Sequence, residues 1–124
     1  MRTRNKRKTP AAATAQTVTF DRAHLTHYTM QNRDLEQEIV ALFLQQLPDT
    51  LHMLKAAKKP AEWKLAAHTL KGSAAAVGAA RLNALAVKIE QRSFGKAPKA
   101  SEKLLVELDR AVEDFRKVTR RIYG

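Results

Sequence analysis

The chain contains no cysteine, which excludes a disulfide framework and any thiolate metal site. Glycine and proline are scarce, four of each in 124 residues, so few positions can interrupt regular structure. β-Branched residues are also few, whereas alanine, leucine, lysine, arginine and glutamate dominate. That composition favours an all-α protein. The length fits one domain, and a hydrophobic content of 44% is enough for a modest core. No apolar run approaches the roughly 20 residues of a membrane span. The basic start from Met1 to Lys8 is not followed by the apolar stretch of a secretory signal, Ala11 to Ala13 being too short. A cytoplasmic protein with no membrane association is expected.

Chemistry is narrowed in the same way. Nucleophilic hydrolysis needs an activated Ser or Cys with its base and orienting acid, and Ser73 sits in a helical pattern rather than on a sharp strand-to-helix turn. The glycines at 72, 78 and 95 form no phosphate-cradling loop, so the chain is not expected to bind ATP or phosphorylate itself. His24 and His27 lie one turn apart, but no carboxylate or thiol lies close in sequence to complete a metal site; no metal is expected.

What is abundant is positive charge. The formal net charge is +11, and residues 1–8 carry five of these charges, leaving +6 for the remainder. Residues 1–17 lack periodicity and are read as a disordered basic arm; residues 18–124 form the domain. A short helix is expected from Asp21, a plausible N-cap, with Phe20, Leu25 and Tyr28 covering one end of the structure. A long helix follows over residues 32–58, capped by Asn32, with an apolar stripe of Leu35, Ile39, Leu42, Phe43, Leu47, Leu51 and Leu54 and a kink at Pro48. Asp34, Glu36 and Glu38 near its start and Lys55, Lys58 and Lys59 at its end suit the helix dipole. Pro60 opens the next helix and Gly78 stops it. Residues 79–93 form another, with Leu82, Leu85, Ala86 and Ile89 inward. After a turn at residues 94–98, the last helix runs from Ser101 to Ile122, with Leu104, Leu105, Leu108, Val112, Phe115 and Val118 apolar. Four long helices with short connections point to an antiparallel up-and-down four-helix bundle with a short extra N-terminal helix.

The 60–77 helix carries the informative residues. Trp63, Ala66, Ala67, Leu70, Ala74 and Val77 share one face at about 100° per residue. His68 lies about 200° from both Ala66 and Leu70, on a stripe with Lys64, Lys71, Gly72 and Ala75. An imidazole flanked by two ammonium groups thus faces water over small residues. Gly72 costs about 1 kcal/mol relative to alanine inside a helix, and the pattern continues past it. The missing side chain one turn after His68 leaves room for a bulky group on the imidazole or for a close partner surface.

The run from Ala66 to Glu90, with His68, Leu70, Lys71, Gly72, Ser73, Gly78, Leu82, Leu85 and Glu90, resembles the histidine phosphotransfer (HPt) domain of bacterial phosphorelays. It is similar also to the N-terminal phosphotransfer domain of chemotaxis histidine kinases. A looser likeness in hydrophobic pattern extends from about Asp34 to Val118. The resemblance implies a phosphoryl carrier without kinase activity of its own. His68 would accept a phosphoryl group at Nε2 from a receiver-domain phospho-aspartate, or from a kinase, and pass it to another receiver. The partners implied are response-regulator receiver domains and a hybrid histidine kinase. The receiver would bring Mg2+ and its own lysine; the chain itself would hold no cofactor. Lys71 would stabilise the phosphoryl oxygens, Gly72 would give clearance, and Glu90 would accept a hydrogen bond from Nδ1 of His68. Lys64, Ala67, Ser73, Ala75 and Ala76 would flank the docking surface. Receiver active sites are acidic, so the basic charge of this chain would aid encounter. The alternatives are a non-catalytic module that sequesters a receiver through the same surface, and a small basic nucleic-acid-binding protein. Against the latter, no helix-turn-helix is recognisable and the bases are spread over several segments.

Overall fold

The computed structural model describes residues 18–92, 94–95 and 98–124. The expected basic arm, and Ser93, Lys96 and Ala97 around the expected turn, lie outside the described residues. The described chain holds five helices and no strand: α1 (Arg22–Tyr28), α2 (Arg33–Lys55), α3 (Pro60–Val77), α4 (Ala80–Gln91) and α5 (Pro98–Tyr123). No helix among the described residues is long and apolar enough to cross a membrane.

Local chemistry sets the boundaries. The Asp21 side chain accepts a hydrogen bond from the His24 backbone N–H, and Asn32 accepts one from Leu35 N–H at 3.0 Å, each satisfying a donor that the first turn leaves unpaired. α2 runs through Pro48 as one helix and ends at Lys55, short of the expected Lys58. Pro60 occupies the start of α3, after an extended Lys59. Gly78 ends it in the left-handed region at φ 82°, with Ala79 N–H donating to the Ala74 carbonyl at 2.9 Å. Glycine is favoured there on two counts: the φ is one that residues with a Cβ rarely adopt, and a Cβ would stand 2.5 Å from the Asp21 carbonyl oxygen. α5 starts earlier than the expected Ser101 and reaches Tyr123.

One core forms between the helices. Phe115 of α5 is fully buried and meets Phe20 and Phe43 edge-on, with ring centroids 5.5 and 5.4 Å apart. Leu25, Leu47, Leu54, Leu70, Leu82, Ile89 and Leu108 fill the space around it. Hydrogen bonds tie the elements. Arg33 of α2 donates to the Ile122 carbonyl near the end of α5, while Lys55 at the other end of α2 contacts Asp109 at 2.7 Å.

The stripe expected for α2 is rotated. Leu35 and Leu42 face outward, whereas Glu36 and Val40 are buried beside Phe43, Leu47 and Leu54. Glu36, only 1% exposed, accepts hydrogen bonds from Arg22 Nε at 3.1 Å and from the Tyr123 hydroxyl at 3.0 Å. A buried carboxylate needs such donors, and this one joins α1, α2 and α5. Burial, with Glu36 beside it, pushes the Tyr123 hydroxyl up from its ordinary pKa and keeps it a donor. Tyr28, expected in the end cover, is 75% exposed; Leu25 and Phe20 provide that cover. On α5, Val118 is only half-buried, and its neighbour Thr119 is buried with its hydroxyl on the Phe115 carbonyl.

Candidate functional site

The inner face of α3 is Trp63, Ala66, Ala67, Leu70, Ala74 and Val77, all buried. Its alanines let α4 come close, with Leu82, Leu85, Ala86 and Ile89 buried against it. Since the stripe is fixed inward, His68 must face out, and its side chain is 66% exposed. Glu90 follows the buried Ile89 at the edge of the α3–α4 seam, and its side chain is only 16% exposed.

Three side chains meet there. Nδ1 of His68 lies 3.1 Å from Oε2 of Glu90, and Nζ of Lys71 lies 2.6 Å from Oε1 of the same carboxylate. The hydrogen bond from Lys71 holds the Glu90 carboxyl below the usual carboxylate range; partial burial opposes this, and the His68 hydrogen bond reinforces it. An ionised carboxylate can only accept. Nδ1 therefore carries the proton in this contact, and in the neutral ring Nε2 keeps its lone pair. The contact thus engages Nδ1 and leaves Nε2 as the ring nitrogen that Glu90 does not touch, on an imidazole that is mostly exposed.

Of the expected site residues, the fold brings together His68, Lys71 and Glu90. Lys64 is exposed one turn before His68, and Gly72 is exposed, with open space where a Cβ would stand. Ala75 and Ala76 are exposed. Ser73 is half-buried, its hydroxyl donating to the Thr69 carbonyl at 2.6 Å. Ala67 does not join them. It is fully buried in the α3 core face and offers nothing to a docking partner; its place on the inner stripe decides its position. Among the described residues, no group of three or more His, Cys, Asp or Glu is placed to hold a metal ion.

Sequence reasoning missed two large apolar side chains on the outer side of the α2–α3 groove. Leu65 is 58% exposed and Met53 46% exposed. With His52, Ala56, Ala57 and Glu62 they line a cavity of about 270 Å³. The available signal was an apolar residue standing out of step with its helix's stripe. Leu65 lies one turn before His68, so the two share an exposed face.

The depressed Glu90 pKa has a direct consequence. A carboxylate stabilised in the folded state contributes stability above its unfolded pKa, and that contribution is lost as pH falls through the lower folded value. Lys71→Ala removes the largest cause. The titration midpoint of the Glu90 carboxyl carbon, followed by 13C NMR, is expected to move upward in this variant. A midpoint that stays put would mean that the Lys71 contact contributes nothing in solution.

An exposed imidazole whose Nδ1 lies 3.1 Å from a largely buried carboxylate is compatible with a class of protein that carries a group on histidine. The comparison with known families gives the same class. The family model described as Hpt domain matches residues 38–118, from within α2 to within α5, and the chain belongs to that family. Membership implies histidine phosphotransfer in phosphorelays and interaction with receiver domains and kinases. No curated protein and no solved structure matches the chain.

Proposed function

We propose that this chain is a phosphoryl carrier that takes a phosphoryl group onto His68 from a receiver-domain phospho-aspartate, or from a kinase, and hands it to a second receiver. The contact between His68 Nδ1 and Glu90 carries the reading. With Nδ1 protonated, the Nε2 lone pair attacks phosphorus. The N–P bond forms, the P–O bond to the aspartyl carboxylate breaks, and the carboxylate stays with the receiver. The ring is then a phosphoimidazolium with its Nδ1 proton still facing Glu90, whose charge offsets the ring's. Lys71 has three N–H donors, of which one is used on Glu90; the other two serve the phosphoryl oxygens. Transfer of this kind needs alignment and charge neutralisation more than covalent assistance from the protein. The remaining charge compensation is assigned to Mg2+ and a lysine brought by the receiver.

In this reading α2 to α5 run up and down as an antiparallel four-helix bundle, supported by the ties of Arg33 to Ile122 and of Lys55 to Asp109. α1 is the extra helix, and residues 18–124 are the domain. The docking face is Lys64, Gly72, Ser73, Ala75 and Ala76, extended by Leu65 and Met53. Small residues around the histidine let a receiver approach closely, and the two apolar side chains give it area to bury. The setting is the cytoplasm, where receiver domains and a hybrid kinase would meet the chain.

The test is a transfer assay. A panel of receiver domains charged with radiolabelled phosphate is mixed with the chain and Mg2+. Acid-labile, alkali-stable label is expected to appear on the chain for at least one receiver. Receiver binding without transfer would instead make the chain a sequestering module. Neither binding nor transfer, together with a gel shift of duplex DNA at about physiological salt, would favour the nucleic-acid reading.

A further inference from the structure

Two hydrogen bonds cross the α3–α4 seam in opposite directions. From α3, the Trp63 indole N–H donates to the Ile89 carbonyl of α4 at 3.0 Å, in a buried position. From α4, the Asn83 amide nitrogen donates to the Lys71 carbonyl of α3 at 2.9 Å. A helical carbonyl already accepts from the residue one turn on, and its second lone pair is free for a bond of this kind. Each helix therefore gives one side-chain donor to the other's backbone.

Their placement relative to the site is specific. The Trp63 bond ends on the residue immediately before Glu90. The Asn83 bond ends on Lys71, whose side chain grips Glu90. His68 lies between Trp63 and Lys71 along α3. Packing between smooth alanine and leucine faces is tolerant of sliding, because apolar contact has no direction. A slide of one residue's rise is about 1.5 Å, enough to break a hydrogen bond of 3.1 Å between His68 and Glu90. Hydrogen bonds to fixed carbonyls remove that freedom.

We infer that Asn83 and Trp63 are positioning residues that lock the register of α4 against α3, and so hold the Glu90 carboxylate at Nδ1 of His68. This rests on the proposed role of Glu90. Asn83 is the cleaner probe, since it is half-buried and outside the apolar core. Asn83→Asp keeps the shape and loses the donor; Trp63→Phe keeps an aromatic ring and loses the N–H.

The readout is the tautomer of the neutral His68 ring, taken from its 15N chemical shifts, beside the transfer rate and thermal unfolding. Wild type is expected to hold the proton on Nδ1. Asn83→Asp and Trp63→Phe are each expected to lower that fraction and to slow transfer about tenfold, within the roughly hundredfold that a misplacement of 1 Å can cost at a reacting centre. In a Glu90→Gln background, Asn83→Asp is expected to change neither the tautomer nor the rate further. With Glu90 intact, Asn83→Gln, which keeps an amide donor, is expected to retain more of the wild-type tautomer than Asn83→Asp does. An unchanged tautomer in both clamp variants overturns the inference. So does a loss of rate that adds in full to that of Glu90→Gln, since a purely structural weakening would behave so. If Glu90→Gln itself leaves the tautomer unchanged, the inference falls together with the role of Glu90. If no receiver labels the wild type but the clamp variants shift the tautomer, the register lock stands and the relay reading fails.

Discussion

His68→Gln is expected to take no label from any receiver that phosphorylates the wild-type chain, while folding as the wild type does. The imidazole is mostly exposed, and among the described residues its side-chain partner is Glu90. Glutamine keeps an amide N–H of similar reach for that carboxylate, so the α3–α4 seam is not left with an unpaired acceptor. Surface substitutions away from buried features change stability little. The melting temperature is therefore expected to stay within about 3 °C, and circular dichroism should be unchanged. Transfer has no such substitute: an amide nitrogen has no free lone pair to attack phosphorus, so the loss should be complete rather than partial. The other three histidines, His24, His27 and His52, have no carboxylate hydrogen-bonded to the ring among the described residues. Label persisting on His68→Gln would place the acceptor elsewhere and remove the basis of the site.

α3 was legible from the sequence because its signals agree. Pro60 and Gly78 mark its ends, and its apolar residues recur at one period, so the outward direction of His68 follows from the inward direction of Leu70. The period also places Ala67 inside, which outweighs its being next to the histidine. α2 was less legible. Leu35 and Leu42 are apolar but face out, and Glu36 is charged but faces in. A buried carboxylate becomes tolerable only through donors from Arg22 and Tyr123, at sequence separations of 14 and 87, and no local pattern announces them. The contact of His68 with Glu90 was suggested by resemblance to a family, whereas the hold of Lys71 on Glu90 was not suggested at all. Long side chains choose among neighbours according to which helix edge comes near, and that depends on packing. The hydrogen bonds of Asn83 and Trp63 escaped notice for a related reason: a donor aimed at a backbone carbonyl leaves no trace in composition or periodicity.

Gly72→Leu is expected to stabilise the fold and damage the function together. Leucine in place of glycine inside a helix is worth about 1 kcal/mol in propensity, and nothing lies within 4 Å of the position a Cβ would take. The melting temperature should therefore rise by about 4 °C. The new side chain stands one turn after His68 on the same exposed stripe, where, in the proposed relay, a receiver would bring its phospho-aspartate against Nε2. A displacement of the reacting groups by even 1 Å is worth up to about a hundredfold in rate, and a leucine side chain is larger than that, so transfer should fall at least tenfold. Gly72→Ala should gain at least as much stability, alanine being the better helix former, with a smaller loss of rate, because one methyl group fills less of the gap. Thermal unfolding and transfer rates on the three proteins test both halves. A stabilised Gly72→Leu that transfers at the wild-type rate would show that the space beside the imidazole is not used by the partner. A destabilised one would show that the open space seen at Gly72 is not open in solution. The two halves moving in opposite directions would identify Gly72 as a residue kept at the expense of stability for the approach of a partner.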